Sequence, residues 1–196
     1  MDPHAESGTP AVDADRPRGD SGDVVAAEVA RHVLDVPDFP EPGVVFKDLT
    51  PLFADAAGFR YAIDAIVDHY GADSFDVVAG VEARGFVIAA AVAYATGTGV
   101  VPVRKAGKLP RRTISASYTL EYGTATLEVH EDAFHGGERV LVVDDVLATG
   151  GTAEATLQLV ERAGGRVAGF SVLLELGFLH GRQRVAPRTV HALLTV

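Results

Sequence analysis

The stretch that most constrains this 196-residue chain runs from Val140 to Thr152. Val140, Leu141, Val142 and Val143 are four apolar residues in a row, three of them β-branched. Such a run reads as a strand buried on both faces of a parallel sheet. Two carboxylates, Asp144 and Asp145, are expected where the strand ends. A small turn containing Gly150 and Gly151 follows, and Ala153 to Val160 then begins a helix. A helix start offers free N–H groups and a positive dipole end to an anion. Glycines let the backbone wrap that anion without a Cβ in the way. Carboxylates accept hydrogen bonds from vicinal hydroxyls. Together these parts suit a phosphorylated sugar, held outside the carboxyl end of a strand as is usual in α/β sheets. No Gly-Lys-Ser/Thr follows the glycines and no Gly-x-Gly-x-x-Gly is present here, so neither a P-loop nor a dinucleotide fingerprint is written. The bland alternative is a plain strand–turn–helix connection.

The rest of the chain fits that architecture. Strands are expected at 76–80, 100–103, 140–143, 167–174 and 190–196. Helices are expected from Val24 to near Asp35, over 59–70, over 86–95 and after Gly151. Residues 114–118 and 124–130 pair as a hairpin across Gly123. Alternating strands and helices predict an α/β fold, a mostly parallel central sheet with helices on both faces. Residues 1–23, rich in Asp, Pro, Gly and Ala, read as a disordered leader, and 24–196 as one domain with a small hood and a β-hairpin flap.

Bulk chemistry narrows the partners. A formal charge of −10 argues against a nucleic-acid partner. With no cysteine there is no disulfide, thiolate metal site or thiol nucleophile. No apolar run approaches a membrane span, and no basic segment followed by an apolar one opens the chain, so a cytoplasmic location with no membrane partner is expected. The seven histidines show no metal-ligand spacing.

Two further constellations carry charge. Gly80-Val81-Glu82-Ala83-Arg84-Gly85-Phe86 repeats the strand–loop–helix logic, and its N–H groups with Arg84 suit a pyrophosphate. The bland alternative is a surface ion pair between Glu82 and Arg84. Arg104, Lys105 and Lys108 concentrate positive charge in an acidic chain, as a leaving pyrophosphate needs; a solvated basic loop or a weak RNA contact is the alternative. Ser117 to Gly123 lies at the hairpin, where a flap would exclude water from an activated sugar.

The Val140–Thr152 segment resembles the phosphoribosyl-pyrophosphate (PRPP) motif of type I phosphoribosyltransferases. Phe39 to Asp48, with Gly80–Phe86, Val101–Leu109 and Ser117–Leu127, resembles the adenine phosphoribosyltransferase family. The resemblance spans nearly everything after the leader. It implies purine salvage, with AMP and pyrophosphate made from adenine and PRPP. It implies catalytic roles for Glu121, Tyr122, Arg84 and Lys108. PRPP or AMP is then held by Glu82, Ala83, Gly85, Arg104, Lys105, Asp144, Asp145, Ala148, Thr149, Gly150, Gly151 and Thr152. Phe46 stacks on adenine while the backbones of Val45 and Lys47 read its edge. A Mg²⁺ ion is implied, held mainly by substrate and water rather than by a protein cage. A homodimer is implied too, with Arg104 reaching the neighbouring subunit. Lys47 stands where arginine is common in that family, and Ala83 where serine is frequent. A transferase for hypoxanthine, guanine or xanthine, a PRPP- or nucleotide-sensing regulator, and a bare phosphate-binding module remain the rival readings.

Overall fold

The computed structural model describes residues 21–119 and 124–196. Helix α1 (Ser21–Ala30) leads to a two-stranded antiparallel ribbon of β1 (Leu34–Pro37) and β2 (Val45–Asp48). The helix expected from Val24 to near Asp35 instead starts at Ser21, within the stretch read as leader, and ends at Ala30. His32 donates to the Val29 carbonyl at 3.0 Å as the helix unwinds, and Asp35 lies in β1, opposite Lys47. The Val25–Val29–Val33 period marked the buried side but not the end: Val29 is fully buried, and Val33 already lies past the last helical turn.

Short α2 (Thr50–Ala54) and long α3 (Ala56–Tyr70) follow. Asp55 caps α3 by accepting from the Gly58 N–H at 2.6 Å, and Ala62, Ile63 and Ile66 form its buried stripe. Next come β3 (Val77–Val81), α4 (Gly85–Thr96), β4 (Gly99–Lys105), β5 (Thr113–Thr119) and β6 (Thr124–His130). The chain closes with β7 (Arg139–Leu147), α5 (Gly151–Arg162), β8 (Arg166–Glu175), α6 (Gly181–Val185) and β9 (Val190–Thr195).

The seven-stranded sheet has the order β5-β6-β4-β3-β7-β8-β9. Its β4-β3-β7-β8-β9 part is parallel, and the β5–β6 hairpin joins β4 antiparallel. Central strand β7 shows why the sheet needs cover on both faces. Val140 and Val142 pack with Leu157, Val160 and Phe170 toward α5. Leu141 and Val143 pack with Ile66, Ile88 and Leu173 toward α3 and α4. Hence the uninterrupted apolar run.

One detail of β7 departs from the sequence expectation and opens the site. The strand does not stop at Val143 but continues to Leu147, so Asp144 and Asp145 lie within it. Pairing with β8 persists through Leu147↔Glu175, while pairing with β3 ends at Gly80↔Val143. The acidic pair thus sits where one neighbour has left the ladder, and a cleft begins there. Hydrogen bonds to a single neighbour held a strand that apolar periodicity did not reveal. The short helices α2 and α6 were likewise too brief to show a period.

Candidate active site

A cleft of about 640 Å³ opens at the carboxyl ends of β3 and β7. It is lined from four directions. Val44, Val45, Phe46 and Lys47 come from the β2 ribbon. Glu82, Ala83 and Arg84 come from the β3–α4 loop. Asp144, Asp145, Val146, Ala148 and Thr152 come from β7 and the start of α5. Lys105, Tyr118 and Leu127 come from the β4–β6 side, and Leu176 from the end of β8.

The phosphate-type half is built from backbone. Gly150 precedes α5 with φ +84°, a left-handed conformation that suits glycine. The Glu154 N–H is bonded to the Gly150 carbonyl at 2.9 Å. The N–H groups of Gly151, Thr152 and Ala153 are therefore those that a helix start leaves over. Thr152 Oγ1 donates to the Tyr118 hydroxyl at 3.0 Å, tying the hairpin to this loop. Gly85 brings α4 against β7: a Cβ there would meet Asp144 Oδ1 and the Val143 carbonyl, each at 3.0 Å.

The two carboxylates are not equivalent. Asp144 Oδ1 accepts from the Asp145 N–H at 2.9 Å. Burial first, and then the Asp145 charge, push the Asp144 carboxyl well above the ordinary range; the Asp145 N–H and the Arg84 charge pull it back. Asp145 is buried and ion-paired with Arg84, yet its Oδ2 accepts no well-formed hydrogen bond.

Arg84, Arg104 and Lys108 are ion-paired within the chain. The alternative pairing of Glu82 with Arg84 is replaced by two others. Arg84 goes to Asp145, and its guanidinium carbon lies 5.4 Å from the centre of the Phe46 ring. Glu82 takes Lys108 and Arg104 as ion-pair partners and accepts from the Lys105 N–H at 3.0 Å. The Lys108 hydrogen bond, then the Lys105 N–H and the Lys108 and Arg104 charges, hold Glu82 below the usual carboxylate range. Arg104 also donates to the Lys108 carbonyl at 3.1 Å, within its own chain.

On the opposite wall, Phe46 meets Phe39 edge-on, with ring centres 5.1 Å apart. Lys47 Nζ donates to both oxygens of Asp35, at 2.7 and 2.9 Å, across the ribbon. Its side chain is thereby committed to Asp35.

The structure brings Val45, Phe46, Lys47, Glu82, Ala83, Arg84, Lys105, Asp144, Asp145, Ala148 and Thr152 to one cleft. Gly85, Thr149, Gly150 and Gly151 are not part of its lining; Gly85 and Gly150 shape it from behind. Arg104 and Lys108 reach it only through Glu82. Glu121 and Tyr122, and the leader up to residue 20, lie outside the described residues. Sequence reasoning missed Val44, Val146, Leu127 and Leu176, ordinary apolar residues with no chemical signal. It also named Tyr118 only as part of the flap, although its hydroxyl points to Thr152.

Residues 52–190 match the Phosphoribosyl transferase domain. The chain is 77% identical over 179 residues to the adenine phosphoribosyltransferase of Salinispora arenicola, across 91% of this chain and 95% of that relative. The chain belongs to the adenine phosphoribosyltransferase family. The enzyme of that name from Streptomyces coelicolor is 56% identical over 169 residues, 84% of this chain and 93% of its own. Among solved structures, the adenine phosphoribosyltransferase of Thermoanaerobacter pseudethanolicus superimposes with a TM-score of 0.84 at 46% identity, covering 87% of this chain and 99% of that one. The Saccharomyces cerevisiae enzyme, solved with adenine and an imino-altritol bisphosphate, gives 0.83 at 36% identity, covering 88% and 99%. The central sheet and its helices are thus the type I phosphoribosyltransferase fold.

Proposed function

We propose that this protein transfers the 5-phosphoribosyl group of PRPP to adenine, releasing AMP and pyrophosphate. The observation that carries it is the meeting of four parts in one cleft: the Phe46 ribbon, the Glu82–Gly85 loop, the acidic pair and the start of α5. The 5′-phosphate binds the N–H groups of the Ala148–Thr152 loop. The ribose hydroxyls face Asp144 and Asp145. Adenine stacks on Phe46, and the backbones of Val45 and Lys47 read its edge. That reading needs no Lys47 side chain, which Asp35 already occupies.

Pyrophosphate lies against Arg84, Lys105 and Lys108, and the resemblance assigns Glu121 and Tyr122 catalytic roles. Substrate oxygens then replace Asp145 and Glu82 as the partners of Arg84 and Lys108. The protein contributes position and charge rather than a covalent nucleophile. The donor set also suits Mg²⁺: with Arg84 drawn from Asp145 Oδ2 by substrate, the Asp144 and Asp145 carboxylates would present oxygens to a hard cation that keeps water and substrate oxygens. Among the described residues no group of three or more His, Asp or Glu forms a cage. When bound, Mg²⁺ supplies charge neutralisation at the departing pyrophosphate.

The working unit we propose is a homodimer in the cytoplasm. Helix α4 is apolar on every side, yet Val87 is 46% and Tyr94 91% exposed on its outer face. An apolar outer face is what a second copy covers. Among the described residues no helix is long and apolar enough to cross a membrane.

The test is product formation from PRPP and Mg²⁺ with adenine, hypoxanthine, guanine or xanthine supplied singly. AMP from adenine alone is expected. Turnover with another base would break the adenine assignment, and PRPP binding without any turnover would point to a sensor.

A further inference from the structure

Outside the cleft, α6 lies against the back of the Ala148–Thr152 loop. A Cβ on Gly181 would stand 2.2 Å from the Ala148 carbonyl oxygen and 3.1 Å from the Gly150 nitrogen. Reciprocally, a Cβ on Gly150 would stand 2.6 Å from the Gly181 carbonyl oxygen. The nearest atom on each side is thus a backbone carbonyl oxygen, with Leu147 Cδ1 at 3.1 Å from the Gly181 position and Arg184 Cβ at 3.0 Å from the Gly150 position next in line. Gly181 is buried and its φ is not positive, so only the close approach, and not backbone strain, excludes a side chain there.

The α6 side of this contact is held in place. Arg182 Nε donates to both oxygens of buried Glu175 at 2.7 Å, and its Nη1 donates to the Val190 carbonyl at 2.6 Å. Arg184 Nε donates to Glu154 on α5 at 2.6 Å. The residues after Gly181 are thus fixed to β8, β9 and α5. A methyl group added at Gly181 has to be absorbed by the loop.

We infer that Gly181 is a positioning residue for the phosphate loop: its bare Cα, held by Arg182 and Arg184, sets the curvature at which the loop's N–H groups converge on the 5′-phosphate. This rests on the proposed assignment of that phosphate to Ala148–Thr152. It makes the substrate's phosphate affinity depend on a residue that touches no substrate.

The experiment is calorimetric titration of ribose 5-phosphate and, separately, of pyrophosphate with Mg²⁺ into the full-length wild type and Gly181→Ala. Tm and the PRPP and adenine KM values are measured alongside. Gly181→Ala is expected to weaken ribose 5-phosphate and raise the PRPP KM by about tenfold or more, the scale of one lost phosphate contact. Pyrophosphate affinity and adenine KM stay within about twofold. Adding Arg184→Ala to that variant, which lets the segment give way, recovers part of the loss. Unchanged ribose 5-phosphate affinity in Gly181→Ala overturns the proposal. So does a parallel loss of both ligands with a lowered Tm, which marks general destabilisation. Should Gly181→Ala fail to fold, Arg184→Ala alone replaces it. A loss of about threefold or more in ribose 5-phosphate affinity is expected there, and no loss is contrary. Thr152→Asp separates the underlying assignment: if ribose 5-phosphate still binds with a carboxylate in the loop, the phosphate does not lie there, and the loop assignment itself fails.

Discussion

The two halves of the cleft are built differently. The phosphate half is backbone: a glycine turn, a helix start and a buried strand, braced from behind by α6. The base half is side chain and edge: a two-stranded ribbon in which Val44 and Val45 are exposed and Phe46 is held by Phe39 and Arg84. A backbone cradle for a charged group tolerates little displacement. A stacking platform tolerates more, and single substitutions there change affinity in smaller steps. Arg84 belongs to both halves, since it pairs with Asp145 and covers the ring of Phe46.

The largest expected effect is on the charged side. Replacing both Asp144 and Asp145 by Asn is expected to lower kcat/KM by about a thousandfold or more, read by steady-state AMP formation. Near-normal turnover would remove the acidic pair from the account. Arg84→Met tests the shared residue. It should cost about a hundredfold in kcat/KM and raise both the PRPP and the adenine KM. A change confined to one substrate would assign Arg84 to one half only.

Phe46→Ala addresses the base half alone. One lost stacking contact predicts an adenine KM raised by about ten- to a hundredfold, with the PRPP KM unmoved. Asp35→Asn is the mildest. An exposed pair is worth little, so about a two- to threefold rise in adenine KM is expected, and none in PRPP.

The raised Asp144 carboxyl adds a stability prediction of opposite sign to its catalytic one. Its folded pKa lies above the unfolded value, so the native state binds more protons between the two. Stability contributed by this group is therefore lost as pH rises through that window. Asp144→Asn is expected to raise Tm at neutral pH while lowering activity, with the gain fading as pH falls from the raised pKa toward the ordinary carboxylate range and absent below it. A Tm at or below wild type at pH 7, measured by calorimetry, would contradict the destabilising role of that charge.

What could be read from the sequence follows the same division. Val140–Thr152 announces itself because a buried parallel strand, a glycine turn and a helix start each need distinctive residues. The ribbon was harder. Three prolines in residues 37–42 exclude a helix but do not reveal that Asp35 faces Lys47 across two strands. Ion-pair choice was hidden altogether. Glu82 and Arg84 are two residues apart, yet each takes a partner from another strand or loop. Sequence distance says little about which of several cations a carboxylate meets. Gly181 looked like any other loop glycine, because its constraint comes from Ala148, 33 positions earlier.

The most direct test of this division is a crystal structure of the protein with AMP bound. The account predicts the phosphate on the N–H groups of the Ala148–Thr152 loop, the ribose hydroxyls on Asp144 and Asp145, and the purine ring against Phe46. A phosphate seated instead on the Glu82–Gly85 loop, or a purine away from Phe46, would contradict it.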